Sequence, residues 1–143
     1  MVASWLATML DQESLEAHGV SIAERSTSEE ELELRSGSDV ARELGGRVLL
    51  RYLLEEQVDF FTNGSISRKH WLTPTPYAPS ETIAWLALWV PNRPRRHVML
   101  LDPARIDAIK GPRWIRFGRG IEYFLPTGFP EQALMPVPVL EVA

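Results

Sequence analysis

Three segments carry the residue types that chemistry on a phosphate-bearing ligand would need. Arg51 stands in Arg47–Leu53 (RVLLRYL) as a guanidinium on the less apolar side of an alternating run. A guanidinium pairs bidentately with phosphate or carboxylate. The second segment is His70-Trp71-Leu72-Thr73-Pro74-Thr75-Pro76-Tyr77. Its prolines impose an extended path, and it gathers hydroxyls, an imidazole and two aromatic rings able to grip a planar group. The third is Glu122, a lone carboxylate in Gly118-Arg119-Gly120-Ile121-Glu122-Tyr123-Phe124. A carboxylate there suits a reaction that develops positive charge. Each also reads as structure: a surface arginine, a proline-stiffened loop, a solvent-facing strand glutamate.

Other chemistries lack their residues. The chain has no cysteine, and His18, His70 and His97 stand far apart, so a metal site is not expected. There is no G-x-x-x-x-G-K-[ST] loop, no G-x-G-x-x-G opening a helix and no G-x-S-x-G elbow. Gly118-Arg119-Gly120 reads as a tight turn between strands. The longest apolar run, Thr82 to Val90, is too short to span a bilayer, and the first residues do not form a usual secretion signal. These features suggest a soluble protein of the cytoplasm, with no membrane partner.

With 45% apolar and 24% charged residues, the 143-residue chain has a globular composition rather than a disordered one. Its net charge of −4 is unevenly spread: residues 1–45 hold ten of the nineteen acids and only three of the fifteen cations. We read 1–45 as an acidic helical and linker segment and 46–143 as an α+β domain of catalytic type. Ser4 to Ala17 has helical spacing, with an apolar stripe of Trp5, Leu6, Met9, Leu10 and Leu15. Ser26 to Ser38 reads as a polar connector, and residues 20–44 as loosely held. Beyond Gly46, strands are expected at 47–53, 96–101, 113–117, 120–125 and, as a proline-bearing edge, 134–142. Helices are expected at 54–62, 79–88 and 102–109, and Asn63-Gly64 marks a turn. This pattern predicts a compact α+β fold with a mainly antiparallel, twisted sheet and short helices.

The order of the three segments resembles the mono-ADP-ribosyltransferase fold, and more closely the C-terminal toxin domains of bacterial polymorphic toxins of the Rhs type. The resemblance covers roughly residues 47–125. It rests on Arg51-Tyr52-Leu53, Leu54-Glu55-Glu56, Asn63-Gly64, Trp71-Leu72-Thr73-Pro74-Thr75-Pro76-Tyr77, Leu86-Ala87-Leu88-Trp89-Val90-Pro91 and Gly118-Arg119-Gly120-Ile121-Glu122. It implies an ADP-ribosyltransferase-like fold and a glycosyl-transfer reaction that consumes NAD without a metal. The setting implied is interbacterial competition: delivery within a larger secreted toxin, an intracellular protein or nucleic-acid target, and a cognate immunity protein.

The resemblance also assigns roles. Arg51 would hold the NAD pyrophosphate or a ribose. Thr73 or Thr75 would shape the nicotinamide pocket, with His70 beside it and Trp71 or Tyr77 stacking on the ring. Glu122 would steady the oxocarbenium-like cation as nicotinamide leaves. Arginine-modifying transferases usually carry an acid or amide two positions before the glutamate; Gly120 stands there, which favours NAD hydrolysis or another acceptor.

Two other classes fit parts of the sequence. A metal-independent ribonuclease toxin would use His70, Thr73, Arg68 and Lys69 on phosphate, with Arg113, Arg116 and Arg119 holding RNA. A non-enzymatic immunity or interaction protein would use the acidic N-terminal third and the five tryptophans for contacts.

Overall fold

The computed structural model describes residues 4–64 and 69–143. Arg68 therefore lies outside the described residues, as do Ile66 and Ser67, the first residues of the 66–77 stretch whose prolines predict an extended or looped path. In chain order the elements are α1 (Ser4–Ala17), β1 (Leu34–Arg35), α2 (Gly37–Glu43), β2 (Leu49–Leu53), β3 (His70–Leu72), α3 (Thr82–Leu86), β4 (His97–Leu101), β5 (Ile109–Trp114), β6 (Ile121–Leu125) and β7 (Leu134–Glu141). They form two antiparallel sheets, one ordered β1-β5-β6-β3 and the other β2-β4-β7. The fold is thus α+β with short helices. No described helix is long and apolar enough to cross a membrane.

The sheets meet at one seam. Leu50 of β2 and Thr73, just past β3, exchange two backbone hydrogen bonds of 2.9 Å. The main core lies on one side of this seam, with Leu49, Leu53, Leu72, Met99, Ile121, Tyr123 and Leu125 buried together. On the other side Leu50, Tyr52, Tyr77 and Val98 form a smaller cluster against Trp85 and Leu86. The alternation in RVLLRYL therefore feeds two cores, which is why β2 shows no solvent face.

Several local expectations shift. Residues 54–62 make a 3-10 turn (Glu55–Gln57) followed by a π turn (Phe60–Gly64) instead of a regular helix. Asn63-Gly64 is the end of that turn. Pro103–Arg105 is a single 3-10 turn capped by Asp102, so the expected helix at 102–109 is only its start. The fifth strand begins at Ile109, before Gly111-Pro112, because a bulge accommodates the proline inside the strand. β7 is an edge strand, as its prolines require.

The N-terminal third is stitched into the same body. Leu15, Val40 and Leu44 join the main core. β1 pairs with β5, and Ala23 bridges to Arg113. Helix α1 is rotated relative to its apolar stripe: Thr8, Asp11 and Leu15 are buried, while Trp5 is 60% exposed and Met9 and Leu10 face outward. Polar partners set this rotation. Thr8 and Tyr77 share a 2.7 Å hydroxyl hydrogen bond, Thr75 donates to an Asp11 oxygen, and Arg47 pairs with the other Asp11 oxygen at 2.7 Å.

Candidate active cleft

A cleft of about 710 Å³ opens along the seam, and Arg51, Trp71, Thr73 and Glu122 all border it. Strand register explains the convergence. β3 pairs with β6 so that Trp71 faces Phe124 and Leu72 faces Tyr123; Thr73, the next residue, leaves this ladder to bridge Leu50 of the other sheet. Leu72 and Tyr123 point into the main core, so Trp71, Thr73, Glu122 and Phe124 share the opposite, cleft-facing side. Trp71 stacks on Phe124 with ring centroids 4.3 Å apart.

A bulge supplies the cation of this face. Lys110 pairs with Phe124, yet Arg113, three residues on, pairs with Glu122, two residues back along β6. The extra residue changes the parity of β5, so Lys110 and Arg113 both lie on the cleft side. Gly111 makes the bulge possible: its φ is +111°, and an added Cβ would sit 3.1 Å from the Glu122 carbonyl oxygen. Arg113 then donates to Glu122 Oε2 from Nε (3.0 Å) and Nη2 (2.7 Å), and its guanidinium lies 4.5 Å from the Trp71 ring centre.

Both guanidinium bonds end on Oε2, and Glu122 Oε1 accepts no hydrogen bond from any described residue. The carboxylate is thus clamped by one oxygen, on a residue that lines the cleft, and no described residue commits the other. Burial raises the Glu122 pKa above the ordinary carboxylate value, and the Arg113 hydrogen bonds pull the other way. Thr73 is comparably prepared. Its hydroxyl accepts from the Thr75 N–H at 3.3 Å, which leaves its own proton to donate.

Arg51 borders the cleft, but its guanidinium is spent elsewhere. Leu50 and Thr73 are directly opposed and point the same way, so Arg51 projects to the side of Leu72 and His70. There Nη1 donates to His70 Nδ1 at 3.2 Å, and the guanidinium lies 4.3 Å from the Phe61 ring centre. Burial lowers the Arg51 pKa to about 10. Glu122 and the Arg51 guanidinium therefore occupy opposite faces, and Arg113 is the cation beside the carboxylate. In the sequence Arg113 stands out only as a possible RNA contact; its pairing depends on a bulge that Gly111-Pro112 announces without giving its register.

His70, Thr75 and Tyr77 are not among the residues bordering this cleft. His70 is fully buried, with Phe61 and Phe129 ring centres 5.6 and 5.0 Å away. The acid–base imidazole of a ribonuclease is therefore not at the cleft. Thr75 serves Asp11, while the Tyr77 N–H donates to the Tyr52 hydroxyl at 2.6 Å. Gly120 also has a packing reason: an added Cβ would lie 2.8 Å from the Tyr77 hydroxyl, so the fold leaves no room for an acid two positions before Glu122.

Among the described residues no group of three or more His, Asp or Glu is placed to hold a metal. No protein-family model, curated protein or solved structure matches the chain.

Proposed function

We propose that the protein binds NAD in the seam cleft and cleaves its nicotinamide–ribose bond, as an NAD glycohydrolase or ADP-ribosyltransferase domain of toxin type. One observation carries the reading: Thr73 and Glu122 both line the cleft, and Arg113 holds Glu122 by Oε2 alone, with Oε1 bonded by no described residue. As nicotinamide leaves with the bonding electron pair, positive charge grows on the ribose ring. A carboxylate clamped nearby stabilises that cation without reorganising. Thr73 is positioned to donate to a ribose or amide oxygen. In this reading the phosphates belong to the cations beside Glu122, and Arg51 supports the site through His70.

The geometry favours hydrolysis over arginine modification. Gly120 cannot be replaced by an acid without displacing Tyr77, so an arginine acceptor would find no second carboxylate at that position. Incubation of the purified chain with NAD should release nicotinamide, and Glu122→Gln should abolish most of it. Release that is absent with and without a cell lysate as acceptor source sinks the proposal.

A second reading, a non-enzymatic immunity or interaction protein, has one observation in its favour. The Arg51 guanidinium is engaged on the face opposite Glu122, so the two residues do not jointly face one ligand. Tight binding of a toxin partner with no turnover of NAD would select it.

A further inference from the structure

The residues that wall the cleft on its β5 side belong to the acidic N-terminal third. Residues 24–31 form a loop pinned at both ends to one strand. Ala23 donates to Pro112 O and accepts from the Trp114 N–H, and Leu34–Arg35 pair with Ile109 and Lys110. Between these anchors Ser28, Glu29 and Glu30 line the cleft. Its internal bonds are local, from Thr27 N to Glu24 O and from Glu31 N and Leu32 N to Ser28 O.

What holds this strap down is unusual in kind. Lys110 Nζ donates to Glu29 O at 2.9 Å, and Arg113 Nη1 donates to Thr27 O at 2.6 Å. Arg116 donates more weakly, to Arg25 O at 3.3 Å and Ser26 O at 3.5 Å. Lys110 and Arg116 thus meet the strap only through neutral backbone carbonyls, and Arg113 divides its guanidinium between one such carbonyl and Glu122. Charged acceptors form markedly stronger hydrogen bonds with the same donors. The strap also brings Glu29 and Glu30 to the cleft, and of these the Glu29 carboxylate pairs with Lys69 at 3.3 Å. Those carboxylates would repel an anion entering beside them.

We propose that Lys110, Arg113 and Arg116 form a binding site for a phosphate or pyrophosphate group, and that the 24–31 strap is its intrachain occupant, displaced when the anion binds. The carbonyl oxygens stand in for phosphate oxygens, so seated strap and bound anion exclude each other. Arg113 links this exchange to the carboxylate, because the same guanidinium holds Thr27 O and Glu122 Oε2. For the choice of pyrophosphate the inference rests on the NAD reading; the strap and its cations stand on geometry alone.

Hydrogen exchange and cleavage by a glutamate-specific protease test this on the whole chain, with inorganic pyrophosphate as probe and sodium chloride at matched ionic strength as control. Pyrophosphate should raise the melting temperature while speeding exchange and cleavage within 24–31 by about tenfold, the change expected when a seated form favoured by ~1.4 kcal/mol is emptied. Lys110→Gln and Arg116→Gln should loosen the strap without probe and weaken the response to pyrophosphate. These two variants avoid Arg113, whose loss would also strip Glu122 of its partner. A melting shift with exchange at 24–31 unchanged or slowed overturns the displacement, since the strap would then stay seated over the anion. No melting shift overturns the anion site itself. Strap release by pyrophosphate with NAD left uncleaved keeps this inference and removes the NAD reading; NAD cleavage with an unmoved strap does the reverse.

Discussion

Asp11 on the buried face of α1 and Glu122 in the cleft are both buried carboxylates beside an arginine, yet their oxygens are used differently. Asp11 spends both: Oδ1 meets Arg47 and Oδ2 accepts from Thr75. Glu122 receives both Arg113 bonds on Oε2, and no described residue commits its Oε1. The arginines differ as well, since the Arg47 side chain is 42% exposed and that of Arg113 only 9%. A fully spent carboxylate with a solvated partner is a fastening. A half-spent one, held by a buried cation at the wall of a cavity, retains an acceptor for a ligand. Burial alone does not separate them; the count of committed oxygens does.

The comparison breaks most visibly at Arg113. Replacing it by Met leaves Glu122 buried without its cation, a change that costs about 3–5 kcal/mol when a buried pair loses one member. Arg47→Met should cost far less, because Asp11 keeps Thr75 and solvent replaces the half-exposed guanidinium. Chemical denaturation of the two variants measures the gap, and equal losses would mean that the two pairs are equivalent fastenings.

Glu122→Gln separates the roles further. Turnover of NAD should fall about 10²-fold, as when another preorganised partner of a transition-state charge is removed, with NAD affinity nearly unchanged. Asp11→Asn should lower the melting temperature and leave turnover per folded molecule alone. Nicotinamide release, normalised to folded protein, decides between them.

Two threonines sharpen the same contrast on a smaller scale. Thr75→Val removes the donor to Asp11 and should cost about 1–2 kcal/mol in stability with little kinetic effect. Thr73→Val should do the opposite, lowering kcat/KM for NAD by about 3–10-fold, the worth of one hydrogen bond. If both variants behave alike, the cleft face carries no special role for Thr73.

The pH dependence is the finest test. Desolvation is the largest influence on Glu122 and raises its pKa above the ordinary 4.5. Catalysis by the ionised carboxylate should therefore fall with an acid limb whose midpoint lies above that value. Within the same window the folded protein keeps this proton longer than the unfolded chain does, so the contribution of Glu122 to stability declines as pH rises through it. Glu122→Gln should remove both effects; an acid limb that survives the change belongs to another group.

Much was legible in the amino-acid order alone. Alternation in RVLLRYL, the glycines around Arg119 and the prolines of the C-terminal run each specify local backbone, and β2, the turn before β6 and the edge strand β7 follow from them. The antiparallel α+β class follows too, because strands crowd the second half of the chain with little helix between them. The faces did not follow. Every residue of β6 from Ile121 to Leu125 is buried, so alternation there cannot tell core from cleft. Arg51 and Glu122 read as partners until the Leu50–Thr73 bridge set them on opposite sides, and Arg113 became the partner only through a bulge. Helix α1 turned its polar side inward because Thr75 and Tyr77, far away in the chain, are buried and needed hydrogen-bond partners that water could not supply, with half-exposed Arg47 adding an ion pair. Local sequence determines the backbone of each element because its forces act over a few residues. Which side chain meets which depends on register and burial, and those are properties of the assembled sheets.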